Sequence, residues 1–129
     1  MSGHIRHGVG AVRPYLYGDR SVTRFIIEAL AGVELERLES GGGAHVELRV
    51  GDSALVVEEC EDWPATHLRQ STYAYVPDVD AAFARAVALG AEVVSEPENK
   101  PYQERACALR DGYGNTWYLA TYQPAPLTR

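Results

Sequence analysis

The chain has 129 residues, 46% of them apolar and 23% charged, enough for one domain with its own core and too apolar for wholesale disorder. A formal charge of −6, with Lys100 the sole lysine and Arg13, Arg24, Arg37, Arg49, Arg85 and Arg110 scattered, argues against nucleic acid and would attract a cationic small molecule. There is no apolar run near the ~20 residues of a membrane span and no signal-peptide segment at the N-terminus, so a cytoplasmic location and no membrane partner are expected.

The opening stretch MSGHIRHGVG carries His4 and His7 at i, i+3 spacing, read as solvent histidines on a frayed terminus. A Tyr-x-Tyr strand follows at Tyr15 and Tyr17. Val22, Ile26, Ala29 and Leu30 then share one face of a helix that stops near Gly32. Three strands come next, at 33–39, 44–50 and 53–59. In AHVELRV the alternation is clean, with Val46, Leu48 and Val50 on one face and His45, Glu47 and Arg49 on the other. The apolar face is expected against the helix. The acidic segment 58–70 is broken at Trp63-Pro64, and 61–70 reads as a connector.

Beyond it the pattern returns. Thr72 to Val76 reads as a strand ended by Pro77-Asp78, and Asp78 or Asp80 can cap the helix that follows. Val79, Phe83, Ala86 and Val87 form its apolar face, Gly90 supplies a left-handed stop, and strands are expected at 91–95, 105–110 and 115–122. Cys60 and Cys107 lack any C-x-x-C spacing and read as two buried thiols.

Sliding the sequence by 58 positions sets Tyr15 over Tyr73, Tyr17 over Tyr75, Phe25 over Phe83, Gly32 over Gly90 and Glu34 over Glu92. Further on, ELRVGD at 47–52 aligns with ALRDGYGN at 108–115 once the offset grows by three, as a loop insertion would produce. The expectation is an α+β fold in which one domain, 1–129, holds two tandem βαβββ modules at about 11–60 and 71–122.

That doubled unit resembles the vicinal oxygen chelate superfamily of glyoxalase I, bleomycin-resistance proteins, fosfomycin-resistance enzymes and extradiol dioxygenases. The phrases AHVELRVGDSALVVEE, YVPDVDAAFARAVALGAEVV and KPYQERACALRDGYGNTWYLAT resemble its phosphonate-operon-associated and bleomycin-resistance-like branch. The resemblance implies a cupped mixed sheet with helices on its convex face, a homodimer, and in the enzymes one divalent metal held by His or Glu from the first and last strands of each module. At those positions this chain offers Val12 or Arg13, Val56 or Glu58, Ser71, and Tyr118. One carboxylate at most remains where three protein ligands are the norm, so a metal-free cup without cofactor is expected. His45 and Glu47, one strand away, are the alternative ligands. Where relatives have Asp-Pro the chain has Asp111-Gly112, in a turn whose Gly112 and Gly114 permit positive φ. Tyr102 to Arg105 fall where relatives close the cleft with an aromatic residue and an arginine, which makes Tyr102 either a cover for the ligand or a loop aromatic after Pro101.

If Ser71 faces inward, alternation brings Tyr73 and Tyr75 with it, and the repeat does the same for Tyr15 and Tyr17. On the last strand Thr116, Tyr118 and Ala120 would face inward, leaving Trp117 and Leu119 as core. The expected lining is therefore Tyr15, Tyr17, His45, Glu47, Ser71, Tyr73, Tyr75, Tyr102, Arg110 and Tyr118, although tyrosine is also an ordinary half-buried strand residue. Three functions follow from this set. The first is a homodimer that binds a small organic molecule, cationic or aromatic. The second is a metal-independent isomerase, lyase or cyclase acting on an activated carbonyl compound, with Glu58 or Tyr118 as base and Tyr73 or Arg110 steadying an enolate. The third is a metal-dependent glyoxalase- or dioxygenase-type enzyme.

Overall fold

The computed structural model describes residues 3–63 and 68–124, so positions 64–67 of the expected connector lie outside the described residues. The chain forms two compact units, Met1–Gln70 and Ser71–Arg129, each a four-stranded mixed sheet with one helix. Together they make the α+β tandem of βαβββ modules. Among the described residues no helix is long and apolar enough to cross a membrane.

The first unit contains β1 (Tyr15–Gly18), α1 (Arg20–Leu30), β2 (Val33–Ser40), β3 (Gly43–Val50) and β4 (Ser53–Cys60), with sheet order β1-β4-β3-β2. The first strand runs parallel to the last, and the other pairs are antiparallel. Asp19 caps α1 by accepting from Ser21 N at 2.9 Å. Val22, Phe25, Ile26, Ala29 and Leu30 are buried against Leu16, Val46, Leu48 and Val57 of the sheet. The left-handed residue that ends the helix is Ala31 (φ 57°), one position before Gly32. Gly32 N instead bonds back to Ile26 O, leaving Ala31 to take the turn. On the same covered face Thr23 of α1 donates to Glu59 of β4, and Arg37 of β2 donates to Glu59 Oε1 at 2.8 Å. This buried pair ties the helix to two strands.

Ahead of β1, residues 11–14 are not strand, and Val12 lies exposed. The preceding segment is not a frayed end. A short 3-10 turn at Arg6–Gly8 and a backbone approach at Gly10 (φ 75°) lay it along the sheet, where a Cβ on Gly10 would come within 2.7 Å of Ala54 Cβ. The contact is closed to any side chain, and it brings Arg6, His7 and Arg13 onto the sheet.

The second unit repeats the order with β5 (Ser71–Tyr75), α2 (Val79–Ala88), β6 (Glu92–Lys100), β7 (Glu104–Arg110) and β8 (Thr116–Tyr122), arranged β5-β8-β7-β6. Of the two expected caps Asp78 is used, accepting from Ala81 N, while Asp80 pairs with Arg105 at 2.8 Å. Gly90 (φ 95°) follows the helix as expected. The buried face of α2 is Val79, Ala82 and Ala86, with Phe83 half-buried and Val87 exposed. The correct stripe is i, i+3, i+7, and Val87 lies one step beyond its margin. The strand expected at 91–95 continues to Lys100 despite Pro97. Pairing skips from Ser95 to Glu98 on this edge strand, so the proline has no ladder hydrogen bond to lose. Cys107 is buried, and burial pushes its thiol up to about 11, whereas Cys60 is only half-buried.

Asp111 organises the turn between β7 and β8. Its carboxylate accepts from Tyr113 N (2.9 Å), Asn115 N (3.0 Å), Asn115 Nδ2 (3.0 Å) and Trp117 Nε1 (2.9 Å). The positive φ falls on Gly114 (88°) and not on Gly112. Because Trp117 is fully buried, removing the carboxylate would strand an indole N–H in the core. Asp111→Ala is therefore expected to lower unfolding stability by about 2–4 kcal/mol in urea titration, whereas loss of an ordinary turn contact would cost well under ~1 kcal/mol.

Candidate functional site

Each helix covers one face of its sheet, and strand alternation decides which side chains reach the other. In the first unit Tyr17, Glu58 and His45 lie side by side across β1, β4 and β3, as do Tyr15, Val56 and Glu47. All six turn away from α1. Tyr15 Oη donates to Glu58 Oε1 at 2.8 Å, and the same oxygen meets His45 Nδ1. His45 Nε2 lies 3.3 Å from Glu47 Oε2. Glu47 is buried, and its other oxygen receives Arg13 Nη1 at 3.0 Å. Arg13 is fixed in turn by the carbonyls of Gly10 and Val9, each at 2.9 Å.

His45 thus bridges two carboxylates. Burial opposes its charge, but the hydrogen bonds to Glu58 and Glu47 outweigh it and raise its pKa above the usual histidine value. Burial, then the Glu58 hydrogen bond, pushes Tyr15 up to about 12, so its phenol remains a proton donor at neutral pH. Tyr17 packs edge-on to Trp63 at 5.2 Å, and the Trp63 indole donates to Glu58 O at 2.9 Å. An open cleft of about 340 Å³ lies here, lined by Leu38, Ala44, His45, Glu58, Cys60 and Trp63. A larger one of about 430 Å³ surrounds the 41–43 hairpin with Arg20, Arg37 and Glu59. Arg37 and Glu59 there are paired with each other, whereas the smaller cleft is the one onto which His45 and Glu58 open, and it is the better candidate.

The N-terminal segment adds a group that the sequence reading placed in solvent. Arg6 holds Glu36 through Nε (2.8 Å) and Nη2 (2.6 Å), and His7 Nε2 lies 3.0 Å from Glu36 and 3.5 Å from Glu47. The Arg6 hydrogen bond holds the Glu36 carboxyl down at about 2. Only the sign of the charges hinted at this cluster, since its members are some thirty residues apart in the chain.

In the second unit Ser71, Tyr73 and Tyr75 of β5 lie beside Thr116, Tyr118 and Ala120 of β8, all turned away from α2, while Trp117 and Leu119 are fully buried core. Tyr73 and Tyr118 stack with centroids 6.2 Å apart, and Tyr73 meets Tyr75 at 5.6 Å. The hydroxyls of Tyr73 and Tyr75 both donate to Glu104, and these bonds raise the Tyr73 and Tyr75 pKa values. In the sequence Glu104 is only one residue of the segment 102–105 that closes the cleft in relatives. Arg105, its neighbour, points to the helix side and holds Asp80, so it closes no cleft. Tyr102 is exposed and lies near enough to act electrostatically on Tyr73 and Tyr75. Arg110 shares their face and meets Glu92 at 3.5 Å. Among the described residues Tyr118 has no hydrogen-bonding group to activate it as a base.

The donor set does not fit a divalent metal at the carried-over positions. Arg13 is a cation already committed to Glu47, Glu58 is the single carboxylate, and Ser71 and Tyr118 are weak donors. Nor do His45, Glu47 and Glu58 converge as substitutes, because the two carboxylates approach opposite nitrogens of the ring. His7, Glu36 and Glu47 place ligand atoms within 4.8 Å of one another, but Arg6 and Arg13 neutralise both carboxylates.

Residues 16–120 match the family model described as a glyoxalase-like domain. No curated protein matches the chain significantly in sequence. Among solved structures, TioX from Micromonospora sp. ML1 is 24% identical with a TM-score of 0.67, covering 92% of this chain and 100% of that one. The fosfomycin resistance protein FosX from Listeria monocytogenes is 15% identical with a TM-score of 0.68 over 93% of this chain and 94% of that one. A glyoxalase/bleomycin resistance protein from Streptomyces sp. CB03234 is 21% identical with a TM-score of 0.56 over 82% and 97%. Those likenesses speak to the fold, and with the family match across most of the chain they place it: it belongs to the glyoxalase-like domain family of the vicinal oxygen chelate superfamily.

Proposed function

We propose that the protein is a cytoplasmic homodimer that binds a small organic molecule, cationic or aromatic, against the tyrosine-bearing faces of its sheets, without a metal. The observation that carries this reading is where the tyrosines lie. Tyr15, Tyr73, Tyr75 and Tyr118 sit on the faces without helices and are between 40 and 60% exposed, so they are not core filler. Each ring offers apolar area and a hydroxyl tip, which suits a flat or amphipathic ligand. The acidic balance of the chain favours a cation. Fosfomycin-resistance and bleomycin-resistance proteins among the structural neighbours make a sequestered antibiotic a reasonable ligand class. Function lives in the site, however, and the fold does not choose among ligands.

One observation favours a second reading, a metal-independent isomerase, lyase or cyclase on an activated carbonyl compound. Glu58 is positioned by Tyr15 and His45 at the edge of a cleft, the arrangement of a held general base.

A panel of cationic glycopeptides and aromatic amines should contain members that raise the melting temperature, by RT ln(1 + [L]/Kd) in free energy, and failure of every member would count against binding. Glu58→Gln should leave such binding in place; loss of turnover on a carbonyl substrate in that variant alone would establish the enzyme reading. The ring resonances of His45 should titrate above the usual histidine pKa of ~6.5. Because the folded pKa is raised, the contribution of His45 to stability is complete below that unfolded value and fades as pH rises through the folded one. His45→Gln should therefore lower the melting temperature more at pH 6 than at pH 9.

A further inference from the structure

Among the described residues three glutamates are buried, and two of them have a cation. Glu47 meets Arg13 at 3.0 Å and Glu59 meets Arg37 at 2.8 Å. Glu104, only 8% exposed, has none among the described residues. Its polar partners are two neutral phenols, Tyr73 on Oε1 and Tyr75 on Oε2. The basic residues nearest in the ladder are engaged elsewhere. Lys100, its cross-strand neighbour, pairs with Glu98 at 3.4 Å, Arg105 holds Asp80 on the opposite face, and Arg110 meets Glu92. Asp111 is also buried without a cation, but four N–H groups surround it within its turn. Glu104 has two donors for roughly four lone-pair sites.

The surroundings define what could complete it. Tyr118 stacks on Tyr73, Tyr122 lies opposite Glu104 in the strand register, and both rings are exposed. A small inorganic cation needs several oxygen ligands at once, and one carboxylate does not supply them. Aromatic faces around a single negative charge suit a large, weakly hydrated organic cation, held by the ring quadrupoles and the carboxylate together.

We propose that Glu104, with Tyr73, Tyr75, Tyr118 and Tyr122 around it, is the subsite that receives an ammonium or other organic-cation group of the ligand. This rests on the reading of the chain as a small-molecule binder and narrows the class of molecule. The tyrosines hold the carboxylate ionised and present their faces, and the ligand supplies the missing positive charge.

Choline and its carbon isostere 3,3-dimethylbutan-1-ol have nearly the same shape and differ in charge, so the pair isolates this subsite. In a titration followed by the ring resonances of the tyrosines, choline should perturb Tyr73, Tyr75, Tyr118 and Tyr122 and bind about tenfold more tightly than the isostere. Glu104→Gln keeps the side-chain volume and an acceptor oxygen and should abolish that preference. Equal binding of the two compounds by the natural protein would overturn the subsite, as would unchanged choline affinity in Glu104→Gln. The comparison within the natural protein decides the matter even if the variant does not fold. If the isostere or a neutral aromatic binds as well as choline, the small-molecule reading stands and the charge subsite falls. If neither compound nor any aromatic amine moves the tyrosine resonances, both fall.

Discussion

Two parallel strands cannot be joined by a tight turn, and each unit is built around that constraint. In both, the first strand pairs in parallel with the fourth, so the chain must leave the sheet and return before the pair can form. The excursion is a helix and two strands, and the helix has one sheet face on which to bury its apolar stripe. The other face is left to side chains whose identity the core does not dictate. Tyr-x-Tyr at the start of each unit stands on that face with Glu58, Glu47 and Glu104 of later strands, because a period of two leaves them nowhere else.

The periodic part of this was legible in the sequence. The alternation in AHVELRV sets His45 and Glu47 opposite Val46 and Leu48, which are fully buried, while Glu47 is buried on the other face. The capping role of Asp78 and the stop at Gly90 are local, and local chemistry announces itself. What escaped depends on partners distant in the chain. Nothing near His7 says that Glu36 and Glu47 will meet it, since Gly10 must first press the segment onto Ala54. Glu104 reads as one more charged residue of a loop until β5 brings two hydroxyls to it. Pro97 hid the second half of β6 because an edge bulge tolerates what an inner strand would not. Val87 was misplaced by a narrower margin, one helical step.

The two units keep the same topology and have diverged in chemistry. In the first, the open face carries a hydrogen-bonded chain of polar groups from Tyr15 through Glu58, His45 and Glu47 to Arg13. In the second it is mostly aromatic, with the one buried carboxylate held by phenols. The replacement of expected ligands by an arginine, a serine and a tyrosine is consistent with this. Arg13 supplies a fixed positive charge beside Glu47, so that carboxylate has no need of an ion.

The outer strand β6 has a consequence for the chain before it finishes folding. An edge strand offers unpaired N–H and C=O groups to any other extended chain, and a nine-residue edge is a long one. Here Pro97 removes a donor, the shifts at Val93–Ser95 and Ser95–Glu98 break the regular spacing, and Glu96, Glu98 and Lys100 add charge that a docking strand would have to desolvate. The irregularity that obscures the strand in the sequence also makes it a poor template for intermolecular β-sheet, which protects the protein from aggregation at the concentrations reached during synthesis.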